Sequence, residues 1–403
     1  MWKVSKETIM NSKKLNIYVI SLILIILDCA YAFISKTFFN GTSTFISLVC
    51  FLSFFLIYKD RKPLSKSGLL IYLFMSMGLL FAYRFDLKWS TIAVVRYLPL
   101  LTFFMMKRMD LERLCEKLIK SFYVLISLSL AIYFLNLISV PVLNLGRTSW
   151  LQYTVINYGY LYVDSLTYLN KFTGFCVEPG YFGFLCICLL SLNEFDFKKK
   201  STLVFALALL LSLSLEAYLL FIVGLLLYSA SKGENIKKLF FYVFIAIFVL
   251  SLAGYFAMNY NGGNNIVNEK IFARLAFDES LGIVGNNRES VNAEAIIDSV
   301  FYTDRVWLGI GDSEFYNIIA KYNYDVCSWR VFVVVYGAIY TIVSVLISIA
   351  GFTKTNIRKT LPFFVIFWMD FYPHGSLSSE SLYILVIIFL LNTKGMHPVT
   401  TRK

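Results

Sequence analysis

The chain has 403 residues, of which 58% are hydrophobic, 18% aromatic and only 15% charged. Soluble domains are nearer half apolar and about a quarter charged, so this excess has to face something other than water. The net charge of +12 would suggest nucleic acid in a soluble protein, but in so apolar a chain it fits basic loops on one side of a bilayer. Seven cysteines, odd in number and scattered mostly within apolar runs, form no disulfide framework and match no zinc spacing.

Composition predicts an all-α polytopic integral membrane protein, a single domain over 1–403 with one sizeable loop at 259–328. Apolar runs fall at 15–34, 44–58, 68–83, 90–106, 121–142, 172–192, 202–230, 239–258, 329–351 and 361–392. The first follows Lys13 and Lys14 and ends near Ala30-Tyr31-Ala32, a weak cleavage pattern. At about 20 residues it is too long for a signal peptide's apolar region and reads as an uncleaved span.

Lys and Arg concentrate in cytoplasmic loops of membrane proteins. Clusters at the N-terminus, 59–66, 107–120 and 198–200 alternate correctly with the first six runs. The clusters at 232–238 and 394–403 share that side only if 202–230 and 361–392 each enter and return. This gives twelve segments, both termini cytoplasmic, and 25 of the 37 basic residues inside. Each half-hairpin has about 13 apolar residues, about 20 Å of helix, short of a roughly 30 Å hydrocarbon core. The two apices therefore lie at membrane depth, where irregular backbone must line protein or a wet cavity. One carries Ser212, Ser214 and Glu216; the other carries Asp370, His374, Ser376, Ser378, Ser379 and Glu380. Such residues are functional candidates, against the plainer reading that they cap short helices.

The sixth span opens Phe172-Thr173-Gly174-Phe175-Cys176-Val177-Glu178-Pro179-Gly180. Glu178 is read as facing a cavity, or as sitting at the water interface with Pro179 merely starting a helix. In the 259–328 loop, ten acidic residues stand against five basic ones, so the loop is not a lipid-surface or nucleic-acid patch. Asn286-Asn287-Arg288-Glu289-Ser290 precedes a helical pattern to Phe301. Arg288 beside that helix start suits a phosphate, or is a solvated residue of the cap. Leu308-Gly309-Ile310-Gly311-Asp312 is a Gly-rich turn without the strand, helix and Lys of a nucleotide loop, and a second helix is predicted from Asp312 through Tyr322. Arg274, Arg305, Lys321 and Arg330 complete the basic set of this region, and Arg147 adds one from the loop before the sixth span. Arg96, about seven residues into its span, either snorkels outward or lines a cavity as an anion ligand.

Several of these features together resemble the bacterial O-antigen polymerase and ligase superfamily, the Wzy-type enzymes that join lipid-linked sugar repeats outside the inner membrane. They are the Glu178-Pro179-Gly180-Tyr181-Phe182-Gly183 opening, the broken hairpin around Ser212 to Glu216, and the large loop. Within that loop Arg288 is followed about twenty residues later by Leu308-Gly309-Ile310-Gly311, then by a span containing Tyr336-Gly337. The likeness of layout runs over most of the chain, through short motifs. Ligases of this superfamily usually place a His shortly before the Gly-containing span; here Tyr324-Asp325-Val326-Cys327-Ser328-Trp329-Arg330 has none, which favours a polymerase.

The resemblance implies a glycosyltransferase of the bacterial inner membrane with its active site facing the periplasm. It would transfer a growing glycan from undecaprenyl pyrophosphate to a single lipid-linked repeat. Arg288 would then meet the leaving-group charge, with Arg96 and Arg147 as further cations, and no cofactor or metal is called for. Glu178 would take the acceptor hydroxyl proton, with Asp370 and His374 as alternates. Glu216, Arg274 and Arg305 join Arg96 and Arg147 as substrate-binding residues. The implied partners are the undecaprenyl-pyrophosphate-linked oligosaccharide, the bilayer and a chain-length regulator. A flippase or other transporter of lipid-linked oligosaccharide shares broken helices and buried charge; the absence of an internal repeat and the structured loop favour an enzyme.

Overall fold

The computed structural model describes residues 15–27, 43–58, 61–84, 86–150, 153–166, 171–233, 254–265, 268–273, 277–278, 282–283, 291–322, 328–374 and 379–393, with isolated positions 244 and 252. It is mostly helical. In chain order the first helices are α1 (Leu15–Leu27), α2 (Ser43–Ile57), α3 (Lys66–Ala82), α4 (Leu87–Arg96), α5 (Leu98–Met105) and α6 (Arg108–Leu137). An antiparallel meander follows, β1 (Arg147–Trp150), β2 (Tyr153–Tyr158) and β3 (Tyr162–Ser165), then α7 (Pro179–Leu192), α8 (Lys200–Leu211) and α9 (Leu215–Ser231). The large loop holds the short pair β4 (Phe277–Asp278) and β5 (Gly282–Ile283), α10 (Val291–Phe301) and α11 (Asp312–Tyr322); the chain then forms α12 (Trp329–Tyr336), α13 (Ala338–Thr353), α14 (Ile357–His374) and α15 (Ser379–Leu391).

Among the described residues α6 is the one helix long and apolar enough to cross a membrane unaided; α12 with α13 makes a second only if that pair is counted as one bent span. The run expected at 121–142 lies in the 30-residue α6 only as far as Leu137, and α6 begins at Arg108 and therefore takes the basic cluster into the helix, where Arg108 pairs with Glu112 one turn on at 3.0 Å. The remaining apolar helices are short, and several turn apolar side chains outward at helical spacing. Phe45, Leu48, Leu52 and Leu56 on α2, Leu203, Leu207 and Leu210 on α8, and Ile339, Ile342, Leu346 and Ile349 on α13 are all exposed.

Two runs expected as single helices are broken. The 90–106 run breaks at Tyr97, because Pro99 has no N–H to continue the ladder of α4. Leu100 N–H turns back to Tyr97 O at 3.0 Å, and the Tyr383 hydroxyl of α15 donates to Arg96 O at 2.8 Å. The 329–351 run bends by 115° between α12 and α13, at Gly337.

The two expected hairpins are present as helix pairs. At the open end of the first, Asn193 just after α7 donates to Ser201 near the start of α8 at 2.9 Å, while Tyr228 near the end of α9 donates to Ser191 O at 3.2 Å and Lys232 to Glu194 O at 2.6 Å. The turn at Ser212, Leu213 and Ser214 packs on the other end of α7: a Cβ added at Gly183 would stand 2.7 Å from Ala217 Cβ and 3.3 Å from Ser212 Oγ. The open end of the second hairpin is fastened by an antiparallel bridge of Thr355 to Thr393, with Asn356 N–H to Asn392 O at 2.8 Å. Arg108 and Lys359 line one small cleft there, so basic clusters far apart in sequence share one end of the bundle. One detail departs from expectation: Asp370 lies inside α14, which continues to His374, and the connection at 375–378 falls outside the described residues.

A second, small core lies under the large loop, made of Ala82, Ile297, Val300, Ile310, Phe315, Val334 and Val335. Here the Gly-rich turn locks onto the bend. Ile310 N–H donates to Val334 O at 2.8 Å and Gly311 N–H to Val335 O at 3.1 Å, capping α12. Arg84 donates through Nη2 to Gly309 O at 2.6 Å and through Nε to Ile310 O at 3.2 Å. Gly309 and Gly337, with φ of 70° and 95°, face each other so closely that a Cβ on Gly337 would lie 2.7 Å from Trp307 O, and one on Gly309 2.4 Å from Val335 O. Both positive φ and backbone contact therefore demand glycine. Gly337→Ala is expected to destabilise the protein by more than about 1 kcal/mol, read as a lowered melting temperature. Gly351→Ala, whose Cβ would meet only the Phe389 ring at 3.1 Å, should change it far less. Equal shifts in the two variants would disprove the interlock.

Candidate functional site

Two polar corners form where helices break. In the first, the segment 171–178 is threaded between β3 and the turn of the first hairpin. Phe172 N–H donates to Leu211 O at 3.0 Å, the last carbonyl of α8, and Val163 N–H donates to Gly174 O at 2.8 Å. The Thr173 hydroxyl donates to Val163 O. Aromatic rings hold the segment down: Tyr162 stacks on Phe172 at 5.8 Å, and Phe172 meets Tyr133 at 5.0 Å and Phe182 at 5.1 Å. Glu178 then takes an extended conformation and starts α7, with Pro179 at its first position, where a missing N–H is harmless. Its carboxylate lies over the first turn, with Oε1 3.6 Å from where a Cβ of Gly180 would stand, and it is half-buried. The helix dipole favours a negative charge there.

Glu216, two residues into α9, belongs to the same corner. So does Lys171, which is 6% exposed; with Asp370 at 3%, it makes up the full set of buried charged side chains among the described residues. A buried ammonium or carboxylate persists only where opposite charge or hydrogen bonds compensate it. Asp370 stands on α14, which packs along α9 and also touches α7 and α12. The ring of Phe371, next in sequence, meets Phe332 of α12 edge-on at 5.1 Å. Asp370 thus belongs to the helix that links the first corner to the second.

The second corner surrounds the interlock. The Tyr83 phenol lies within electrostatic reach of Asp312 and of Arg96, and Tyr336 is similarly placed toward Tyr83, Tyr97, Asp312 and Tyr340. Tyr336 stacks on Phe332 at 4.4 Å, and Tyr340 stacks on Phe74 at 4.9 Å. Burial pushes the Asp312 carboxyl above the usual carboxylate range.

Of the sequence candidates, Glu178 and Glu216 stand at the starts of α7 and α9, helices that pack where Gly183 faces Ala217, Arg96 joins the second corner, and Asp370 lies on the helix linking the two. Arg147 is exposed at the start of β1, where it pairs in register with Ile156. Arg305 is exposed on the large loop and forms an ion pair with Glu314. Arg274 and Arg288 lie outside the described residues, as does the side chain of His374. Three residues at the corners escape sequence reading, Lys171, Tyr83 and Asp312 as an acid, whereas Tyr336 is read only as part of the Tyr336-Gly337 motif. Lys171 is the one with a local signal, since it opens the Lys-Phe-Thr-Gly stretch that leads to Glu178. Among the described residues no three of His, Cys, Asp and Glu lie together to hold a metal ion. No protein-family model, curated protein or solved structure matches the chain.

The raised Asp312 pKa makes a stability prediction. Its folded pKa lies above the unfolded one, so its contribution is fully present below the unfolded value and is lost as pH rises through the folded value. Melting temperatures of the unmodified protein and Asp312→Asn, measured from about pH 3.5 upward, should therefore diverge in favour of the variant as pH rises. A gap independent of pH would contradict the assignment.

Proposed function

We propose that the chain is a polytopic membrane glycosyltransferase of twelve segments, a polymerase that transfers a growing glycan from a polyprenyl pyrophosphate to a lipid-linked repeat unit. The observation that most supports it is the packing of the first hairpin's turn on α7 and on the segment before it, which brings together the stretches that carry Lys171, Glu178 and Glu216. Membrane embedding is supported by the outward apolar stripes on α2, α8 and α13, which water would not tolerate over so many helices. Helices too short to cross a bilayer alone, paired as hairpins, fit backbone that breaks beside a cavity.

On this reading the acceptor hydroxyl attacks the anomeric carbon of the donor. Its proton passes to Glu178, the carbon–oxygen bond to pyrophosphate breaks, and the polyprenyl pyrophosphate leaves. Lys171 supplies a fixed cation where the leaving-group charge develops, a role for which a desolvated ammonium is strong. Arg288 is a second cation for the same charge. Asp370, buried on the helix that links both corners, is the alternate base.

Deleting the gene should collapse the surface polysaccharide ladder to core plus one repeat on a gel. Glu178→Gln at normal protein level should slow chain extension by about a hundredfold or more. Lys171→Met should do the same and Lys171→Arg should restore part of it. Loss of every repeat would point instead to a ligase or a flippase, and an unchanged ladder would refute the reading.

A further inference from the structure

Three backbone segments meet at one point of the second corner. Gly311 N–H donates to Val335 O at 3.1 Å, and the place a Gly311 Cβ would occupy lies 2.9 Å from Ala82 O. The next residue on each segment carries a polar side chain: Tyr83 after Ala82, Asp312 after Gly311 and Tyr336 after Val335. Ala82 and Val335 are buried in the small core, as is Ile310, whereas Tyr83, Arg96, Asp312, Tyr336 and Tyr340 all keep part of their surface open. The result is a polar, aromatic surface on a rigid apolar floor, held by the Arg84 clamp and two glycines that admit no side chain.

Its chemistry suits one class of ligand. A pyrophosphate placed at Tyr83, within reach of both Arg96 and Asp312, would be opposed by the Asp312 charge. A neutral sugar uses both, because its hydroxyl groups donate to the carboxylate and accept from the guanidinium and the phenols. The aromatic side chains that border the surface, Tyr83 and Tyr336, offer apolar contact to its C–H groups. We propose that the surface around Tyr83, within reach of Arg96, Asp312 and Tyr336, binds a neutral sugar residue of the glycan substrate, and that Arg96 positions glycan and does not bind the leaving group. This rests on the polymerase reading for the identity of the glycan. The raised proton affinity of Asp312 agrees with a partner that is uncharged.

The test uses the purified full chain and two probes: the neutral oligosaccharide released by mild acid from the polysaccharide of the strain that carries the gene, and inorganic pyrophosphate. Titration calorimetry should show oligosaccharide binding that Asp312→Asn and Arg96→Gln each weaken by about tenfold or more. Tyr83→Phe, which removes one hydroxyl and leaves the Arg84 clamp in place, should weaken it measurably. Pyrophosphate should not compete. The proposal is overturned if the unmodified protein binds no oligosaccharide, if Asp312→Asn and Tyr83→Phe both bind it normally, or if pyrophosphate displaces it and binds more tightly to Asp312→Asn. The two readings separate cleanly: oligosaccharide binding with an unaltered deletion ladder removes the polymerase and keeps the subsite. A collapsed ladder without oligosaccharide binding does the reverse.

Discussion

A helix that stops inside a packed bundle leaves carbonyls that have lost the N–H one turn ahead, and each of them needs another donor wherever water is scarce. In this chain those donors come from far away in sequence. Arg96 O takes the Tyr383 hydroxyl, Leu211 O takes the Phe172 N–H, and Val334 O and Val335 O take the N–H groups of Ile310 and Gly311. Arg84 in turn satisfies Gly309 O and Ile310 O. The tertiary arrangement at the breaks is therefore dictated by backbone accounting as much as by apolar packing.

The same accounting explains where the polar side chains gather. A helix break brings in a second segment to supply donors, and the residues adjoining that segment arrive with it. Lys171 stands beside Phe172 for this reason, and Asp312 beside Gly311. Breaks also open the close packing of helices, so they are the points at which a bundle can hold charge with access to a ligand. The separation into two corners, one rich in Lys171 and carboxylates and one in Tyr, Arg96 and Asp312, suits a reaction with a charged leaving group and a neutral glycan. Both corners are built on helix ends fixed by the interactions above, which gives the side chains little freedom to drift.

Some of this was legible in the sequence. The two hairpins followed from the placement of basic residues, because Lys and Arg on the same side of two consecutive runs force the chain to return. The helix from Asp312 to Tyr322 and the opening at Glu178-Pro179 were readable from local patterns. The breaks were not read, although each had a mark. Pro99 sits in the middle of the 90–106 run, and Gly337 in the 329–351 run, where apolar continuity on both sides hides the interruption. The meander at 147–165 alternates Val155 and Asn157 on one face with Thr154, Ile156 and Tyr158 on the other, a period of two masked by aromatic residues that also suit helices at an interface. Burial of Lys171 has no sequence signature, since it arises from packing against a hairpin turn forty residues downstream.

The Gly-rich turn shows how a motif changes meaning once its hydrogen bonds are counted. As a sequence, Leu308-Gly309-Ile310-Gly311 resembles a loop that offers free N–H groups to a phosphate. In the fold, the N–H groups of Ile310 and Gly311 are consumed by the end of α12, and its carbonyls by Arg84, so the turn has those groups committed and cannot offer them to an anion. Its glycines serve close approach of backbone to backbone. What it contributes to the site is position: it sets Asp312 against Tyr83 and Tyr336, and a rigid frame of this kind is what discrimination between sugars differing in a single hydroxyl requires.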